Sequence, residues 1–146
     1  MIIIQKMTNK DLEQVLEIER ESFAFPWQRS FFEYDLAQNN RYCLVAKKDE
    51  RVVGYANLWH FADELQLANI AVSKKFRRQG IGSALLNQVI EIAKAKKCQS
   101  VFLEVRVSNI TAQKLYEKFN FQPVFKRKRY YPDGEDAIIY RLKIKY

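Results

Sequence analysis

The sequence predicts an α+β domain on a mixed, mostly antiparallel sheet of six or seven strands around one central parallel pair. Three observations carry this. The β-rich runs Tyr42–Lys47, Arg51–His60 and Leu65–Val72 follow one another across short polar turns, which is the signature of an antiparallel meander. A helical pattern then separates Leu65–Val72 from the strand-like Ser100–Val105. A strand, a crossover helix and a strand in that order pair in parallel with a right-handed connection. Last, Phe121–Arg129 and Ala137–Lys145 flank Pro132-Asp133-Gly134, a hairpin around a turn.

The whole chain, 1–146, reads as a single domain, long enough to bury one core, with 48% hydrophobic residues. No run approaches the roughly 18 apolar residues of a membrane span, and no secretory signal pattern opens the chain. The two cysteines, Cys43 and Cys98, form no disulfide framework or metal spacing, and there is one histidine. This suits a reducing cytoplasm and argues against a zinc site. The net charge of +8 calls for an anionic partner. That partner is either nucleic acid or a polyanionic small molecule held by a few arginines; the densest cluster is Lys126, Arg127, Lys128 and Arg129.

Taken in order, Ile2–Lys6 is a first short strand. Thr8 with Asp11 makes a capping box, and Leu12, Val15, Leu16 and Ile18 follow at helical spacing, predicting a helix over Asn9–Ser22. Ala24-Phe25-Pro26-Trp27 breaks it. Ser30 with Glu33 repeats the capping pattern, and Phe31, Tyr34 and Leu36 suggest a second short helix. The aromatics around Pro26 either line a substrate mouth or plug the joint between the helices. In the meander, Gly54 marks a bulge or a close approach. His60 stands at a strand end, where a general base and a merely solvated side chain are both open readings.

The segment Val72–Leu86 organises the chain: V-S-K-K-F-R-R-Q-G-I-G-S-A-L-L. A strand ends, a basic loop follows, and a helix begins. A helix start carries unpaired N–H groups and partial positive charge. Gly80 and Gly82 let an anion approach that backbone, and Arg77 and Arg78 add charge. A pyrophosphate is the natural ligand; the plainer alternative is a solvated basic turn. The helix, with Leu85, Leu86, Val89, Ile90, Ile92 and Ala93 on its buried face, runs to about Lys96.

Glu104 interrupts the apolar strand V-F-L-E-V. A carboxylate there must be hydrogen-bonded or face a wet cleft, since burial alone is costly and drives its pKa upward. It is either a general base or a structural carboxylate paired with Arg106 or nearby backbone. Ser108 or Asn109 caps the last helix, whose packing face is Ala112, Leu115 and Phe119, with Tyr116 beside it; Asn120 fits the left-handed position that ends it.

At this point the residues carry a family resemblance. The element order resembles the GCN5-related N-acetyltransferases, which implies a three-layer fold with helices on both faces of the sheet. R-R-Q-G-I-G at Arg77–Gly82 is similar to that superfamily's acetyl-coenzyme A loop. A-F-P-W at Ala24, N-I-A-V at Asn69, L-E-V-R-V-S-N at Leu103, A-Q-K-L-Y-E at Ala112 and Y-Y-P-D-G-E-D-A-I-I at Tyr130 resemble the bacterial ribosomal-protein-alanine N-acetyltransferases. The N-terminal third and the last strand depart more from that pattern, so acceptor specificity is expected there.

The resemblance implies acetyl-CoA as co-substrate, no metal, and acetylation of a protein N-terminus, the alanine of a small-subunit ribosomal protein. It implies that Ile70, Ala71 and Val72 offer backbone groups to the pantetheine arm and thioester. Arg77, Arg78, Gln79, Gly80, Ile81, Gly82 and Ser83 would hold the pyrophosphate, with Asn109 contacting the same molecule. Glu104 stands in the position of the general base and Tyr116 in that of the general acid. Only a neutral amine attacks a thioester, and an α-amine with a pKa of about 7.7–8.0 is partly neutral at pH 7. The Val72 N–H is the candidate donor to the developing oxyanion. A monomer or weak dimer without direct nucleic-acid binding is expected. Two alternatives remain: the same fold acting on a small amine or lysine side chain, and a non-catalytic basic module binding RNA.

Overall fold

The computed structural model describes residues 1–146. Its strands are β1 (Ile2–Lys6), β2 (Arg41–Lys48), β3 (Arg51–Phe61), β4 (Glu64–Val72), β5 (Ser100–Arg106), β6 (Gln122–Arg127) and β7 (Ala137–Lys143). They form one sheet of order β1-β2-β3-β4-β5-β7-β6, antiparallel except for the β4–β5 pair. The helices are α1 (Leu12–Ser22), α2 (Arg29–Ala37), α3 (Ile81–Ala95) and α4 (Ile110–Lys118). None is long and apolar enough to cross a membrane.

The core is divided by the sheet into two layers. On one face α3 and α4 bury Leu85, Leu86, Val89 and Tyr116 against Leu65, Leu67, Leu103, Val105 and Tyr140. On the other, α1 and α2 bury Leu12, Val15, Leu16, Ile18 and Phe32 against Val45, Val52, Tyr55 and Ala71. Both layers exclude water from apolar surface, at roughly 25 cal/mol per Å² buried. The first helical segment starts as a 3₁₀ turn, Asn9–Asp11. Its capping box holds as read: Thr8 N donates to Asp11 Oδ2 at 2.9 Å.

The second helix differs from the expectation. Its N-cap is Gln28, Ser30 lies inside the first turn, and the buried residues are Phe32 and Asp35 rather than Phe31 and Tyr34. Asp35 is buried because three donors converge on it: Arg41 at 2.6 Å, Asn57 at 3.0 Å and Trp59 Nε1 at 3.1 Å. In α4 likewise Tyr116 is the buried residue, while Ala112, Leu115 and Phe119 are partly covered.

Two bulges shape the meander. Ala46 opposes Gly54 and Lys47 opposes Val52, leaving Val53 extra. Gly54 is also a close approach: a Cβ there would lie 3.1 Å from Ala71 O and from Ile81 Cγ2. The second bulge sits at Ala68, because Asn57 opposes Asn69 while Leu58 opposes Leu67. An extra residue shifts the alternation by one and bends the strand. Leu65 and Leu67 therefore face α3 and α4, whereas Asn69 and Ala71 turn toward α1.

The parallel pairing stops at the same place. It runs from Glu64–Ser100 to Leu67–Leu103 and goes no further, although β4 continues to Val72 and β5 to Arg106. Beyond Leu67 the two strands splay, while β5 stays paired to β7 through Glu104–Ile139 and Arg106–Ala137. The result is a split in the middle of the sheet at the C-terminal ends of its parallel strands, the place where open α/β sheets bind ligands.

Candidate active site

The left wall of the split is β4. Ser73 N donates to Val53 O at 2.8 Å, so Ser73 and Val53 form a hydrogen-bonded antiparallel pair. Pairs alternate along such a ladder. Gly54–Val72 and Ala56–Ile70 are then the non-bonded pairs, and Tyr55–Ala71 is a bonded one. The amides of Val72 and Ile70 consequently point away from β3, into the split. Ala71 differs from the expectation: its backbone groups face Tyr55 and its side chain is buried on the α1 face.

Below this edge lies the glycine loop. After a 3₁₀ turn at Lys74–Phe76, Arg78 takes φ +62° and Gly80 takes φ +81° as the N-cap of α3. Ile81, Gly82 and Ser83 are the first helical residues, so their N–H groups have no helical acceptor. A Cβ on Gly80 would meet nothing within 4 Å, so its outer side is open. One on Gly82 would stand 3.3 Å from Leu115 Cδ2 and 3.9 Å from Val72 Cγ2, which shows how closely α3 approaches α4 and β4 there. The Ile81 side chain is 1% exposed and anchors the loop in the core, leaving only its backbone to face a ligand. Arg78 and Gln79 are exposed. Arg77 folds back, its Nε donating to Val72 O at 3.2 Å. A cradle of free amides, an open glycine flank and cationic side chains fits a pyrophosphate.

Glu104 is on the right wall, on the α1–α2 side, and is exposed rather than partly buried. The splaying of β4 uncovers it. Its Oε2 accepts from the Tyr130 hydroxyl at 2.7 Å and its Oε1 from Gln66 Nε2 at 3.4 Å. Arg106, the expected structural partner, is engaged elsewhere. Its Nη1 reaches Asp133 at 2.8 Å and Glu135 at 2.7 Å, and its guanidinium lies 4.1 Å over the Tyr131 ring. Ser108 N also donates to Glu135, at 2.9 Å. Hydrogen bonds from Ser108 and then from Arg106 hold the Glu135 carboxyl at about 2. This clamp fastens the 128–136 loop to the end of β5 and sets Tyr130 on Glu104.

Tyr116 comes from the opposite face of the sheet. Its ring packs at 5.9 Å from Phe121 and 6.2 Å from Tyr140. Burial, and then proximity to Tyr131, pushes its hydroxyl above the ordinary tyrosine range. Asn109 caps α4, its Oδ1 accepting from Ala112 N at 3.1 Å. His60 is far from all of these. It pairs with Leu65 at the other end of β4, and its ring nitrogens meet Ala62 O at 2.9 Å and Tyr42 Oη at 3.3 Å. Trp27 plugs the joint between α1 and α2, its ring 4.4 Å from Phe31 and 5.3 Å from Phe32, while Phe25 remains 50% exposed.

Three residues at the split escaped the reading of the sequence: Tyr130, Tyr131 and Gln66. The paired tyrosines beside a Pro-Asp-Gly turn were the available signal. Gln66 carried none, because a glutamine in a strand reads as a solvent-facing position.

A family model described as the acetyltransferase (GNAT) family matches residues 12–121. A Bacillus subtilis (strain 168) protein, provisionally named as a ribosomal protein bS18-alanine N-acetyltransferase, is 41% identical over 138 residues, 93% of this chain and 91% of its own. The ribosomal protein bS18-alanine N-acetyltransferase of Salmonella typhimurium is 37% identical over 149 residues, covering 99% of both chains. The crystal structure of the ribosomal-protein-S18-alanine N-acetyltransferase from Escherichia coli superimposes with a TM-score of 0.92 at 34% identity, over 100% of this chain and 96% of that one. This chain belongs to the GNAT family of acetyltransferases, enzymes whose acetyl donor is acetyl-CoA.

Proposed function

We propose that the protein acetylates the α-amino group of a protein N-terminus, with the N-terminal alanine of ribosomal protein bS18 as its acceptor. The observation that carries this is the split between β4 and β5, with free amides and a glycine cradle on one side and a held carboxylate on the other. Relatives that match nearly end to end bear that acceptor in their names.

The residues divide the work by face. Acetyl-CoA supplies an activated thioester. The amides of Ile81, Gly82 and Ser83, with Arg78, hold its diphosphate, and the Ile70 and Val72 amides orient the arm and carbonyl. The Val72 N–H stabilises the negative charge that develops on the carbonyl oxygen, a role worth roughly 3–4 kcal/mol in other acyl-transfer enzymes. Glu104, on the acceptor face, takes a proton from the acceptor's ammonium, directly or through a water, and the neutral amine then attacks the thioester carbonyl. Tyr116, which burial keeps protonated until the thiolate forms, is the group assigned to protonate it as it departs. No protein nucleophile takes part: both cysteines are buried, and burial raises both thiols.

The test is acetyl transfer to a peptide bearing the bS18 N-terminus, compared with the same peptide α-N-blocked and carrying an internal lysine, and with free small amines. One acetyl group located on the α-nitrogen by fragmentation mass spectrometry is expected. Transfer confined to lysine or to small amines overturns the assignment.

A further inference from the structure

Glu19, on α1, is 1% exposed, and its carboxylate has no cationic partner. The other two buried acids each have one: Asp35 pairs with Arg41 and Asp11 with Lys47. Glu19 instead collects three neutral donors. Oε1 accepts from Tyr55 Oη at 2.6 Å and from Asn69 Nδ2 at 2.7 Å, and Oε2 accepts from Trp27 N at 2.9 Å. A carboxylate without a counter-ion is a costly core residue, tolerated here only because three donors satisfy it. Its value lies in what it joins. Tyr55 belongs to β3. Asn69 belongs to β4 immediately before Ile70, whose amide faces the split. Trp27 belongs to the 23–28 connection, where Phe23 and Phe25 stay exposed on the same face of the sheet as Glu104.

We infer that Glu19 is a positioning residue for the acceptor: it fixes the 23–28 connection against the β4 edge and so presets the wall that the incoming peptide N-terminus meets. This rests on the proposed N-terminal acetylation. The glycine loop lies beyond β4 on the opposite face of the sheet, and the β3–β4 ladder, not Glu19, sets the Ile70 and Val72 amides that face the split, so loss of the Glu19 bonds leaves acetyl-CoA binding little changed. Tyr55 remains a donor throughout, since burial and then Glu19 push its hydroxyl well above the usual range. A carboxamide at position 19 would present an NH₂ to one of the three donors and lose at least one bond.

The experiment compares wild type, Glu19→Gln and the milder Tyr55→Phe. For Glu19→Gln the KM of the bS18 peptide rises about tenfold. The KM of acetyl-CoA, and kcat at saturating peptide, stay within about twofold. Tyr55→Phe moves the same constant in the same direction by less. A drop in Tm with both KM values unchanged, or an equal rise in both, overturns the inference. Amide hydrogen exchange read without any acceptor separates this from the assignment of the acceptor. Exchange across 23–28 rises about tenfold in Glu19→Gln, while the Ile81–Ser83 amides stay as in wild type. Unaltered exchange at 23–28 overturns the positioning role whichever amine the enzyme uses. Failure of the wild type to acetylate the peptide overturns only the acceptor.

Discussion

The Tyr130 hydroxyl donates to Glu104 Oε2 at 2.7 Å, joining the 128–136 loop to the carboxylate exposed where the sheet opens. Burial, then the bond to Glu104, raises the Tyr130 hydroxyl to about 12, so it stays a donor across any working pH. Removing it leaves the carboxylate free to turn toward solvent. Tyr130→Phe should lower kcat/KM about tenfold, equivalent to about 1.4 kcal/mol, through lost orientation of Glu104. Tyr130 is 43% exposed, so Tm should barely move. Steady-state CoA release measures the first quantity and a thermal melt the second. An unchanged kcat/KM would detach the loop from the chemistry.

Glu104→Gln and Tyr116→Phe separate the two proton transfers. The first keeps an acceptor for Tyr130 but removes the proposed base, so activity near neutral pH should largely vanish and partly return as alkaline pH deprotonates the amine. The second keeps the ring packed on Phe121 and Tyr140 but removes the proposed acid. Its kcat should fall at least tenfold with acetyl-CoA affinity unchanged. A kcat within about twofold of wild type would remove Tyr116 from the acid role.

Much of this site was readable before the fold. The glycine pair, the strand ahead of it and the helix behind it are local features, and local spacing predicts them. Glu104 is visible as a charge in an apolar strand, and a wet cleft is one of the two readings it allows, but what opens that cleft is not visible. The opening depends on the Ala68 bulge, where β4 leaves β5, and a bulge with an ordinary alanine leaves no mark in the pattern. The start of α2 was misplaced for a similar reason. Ser30 and Glu33 match the local rule, but Trp27 N is held by Glu19, eight residues away on another helix, and that bond sets where the chain can turn. Tyr130 meets Glu104 only because Arg106 and Ser108 clamp the hairpin loop, a contact between distant segments that no periodicity records.

The two loop glycines should fail differently when given a methyl group. At Gly80 the added Cβ has open space, and the cost is the left-handed φ of +81°, about 1 kcal/mol. At Gly82 the backbone is ordinary helix, but the Cβ would press on Leu115 Cδ2 at 3.3 Å and narrow the gap beside Val72. Gly80→Ala should therefore lower Tm by a few degrees with a modest loss of acetyl-CoA affinity. Gly82→Ala should raise the acetyl-CoA KM more than it lowers Tm. The reverse ordering in paired melts and titrations would show that Gly82 serves packing alone.

Acid should open the 128–136 loop first. Bonds from Ser108, then from Arg106, depress the Glu135 carboxyl to about 2 from an ordinary 4.5. Asp133 is lowered too, chiefly by the backbone bond from Glu135 and then by Arg106. A depressed acid stabilises the folded state fully above its unfolded pKa and loses that contribution as pH falls toward its folded one. The window is thus from about 4.5 down to about 2. Within it, exchange of the Tyr131 and Gly134 amides, which bond to Glu135 O and Tyr131 O across the turn, should accelerate ahead of the β5–β7 ladder. Glu135→Gln should show fast exchange at neutral pH, lose most of the acid dependence of these amides, and cost activity by releasing Tyr130 from Glu104. If the variant and wild type lost protection in parallel from pH 5 to 2, the clamp would have no part in holding the loop.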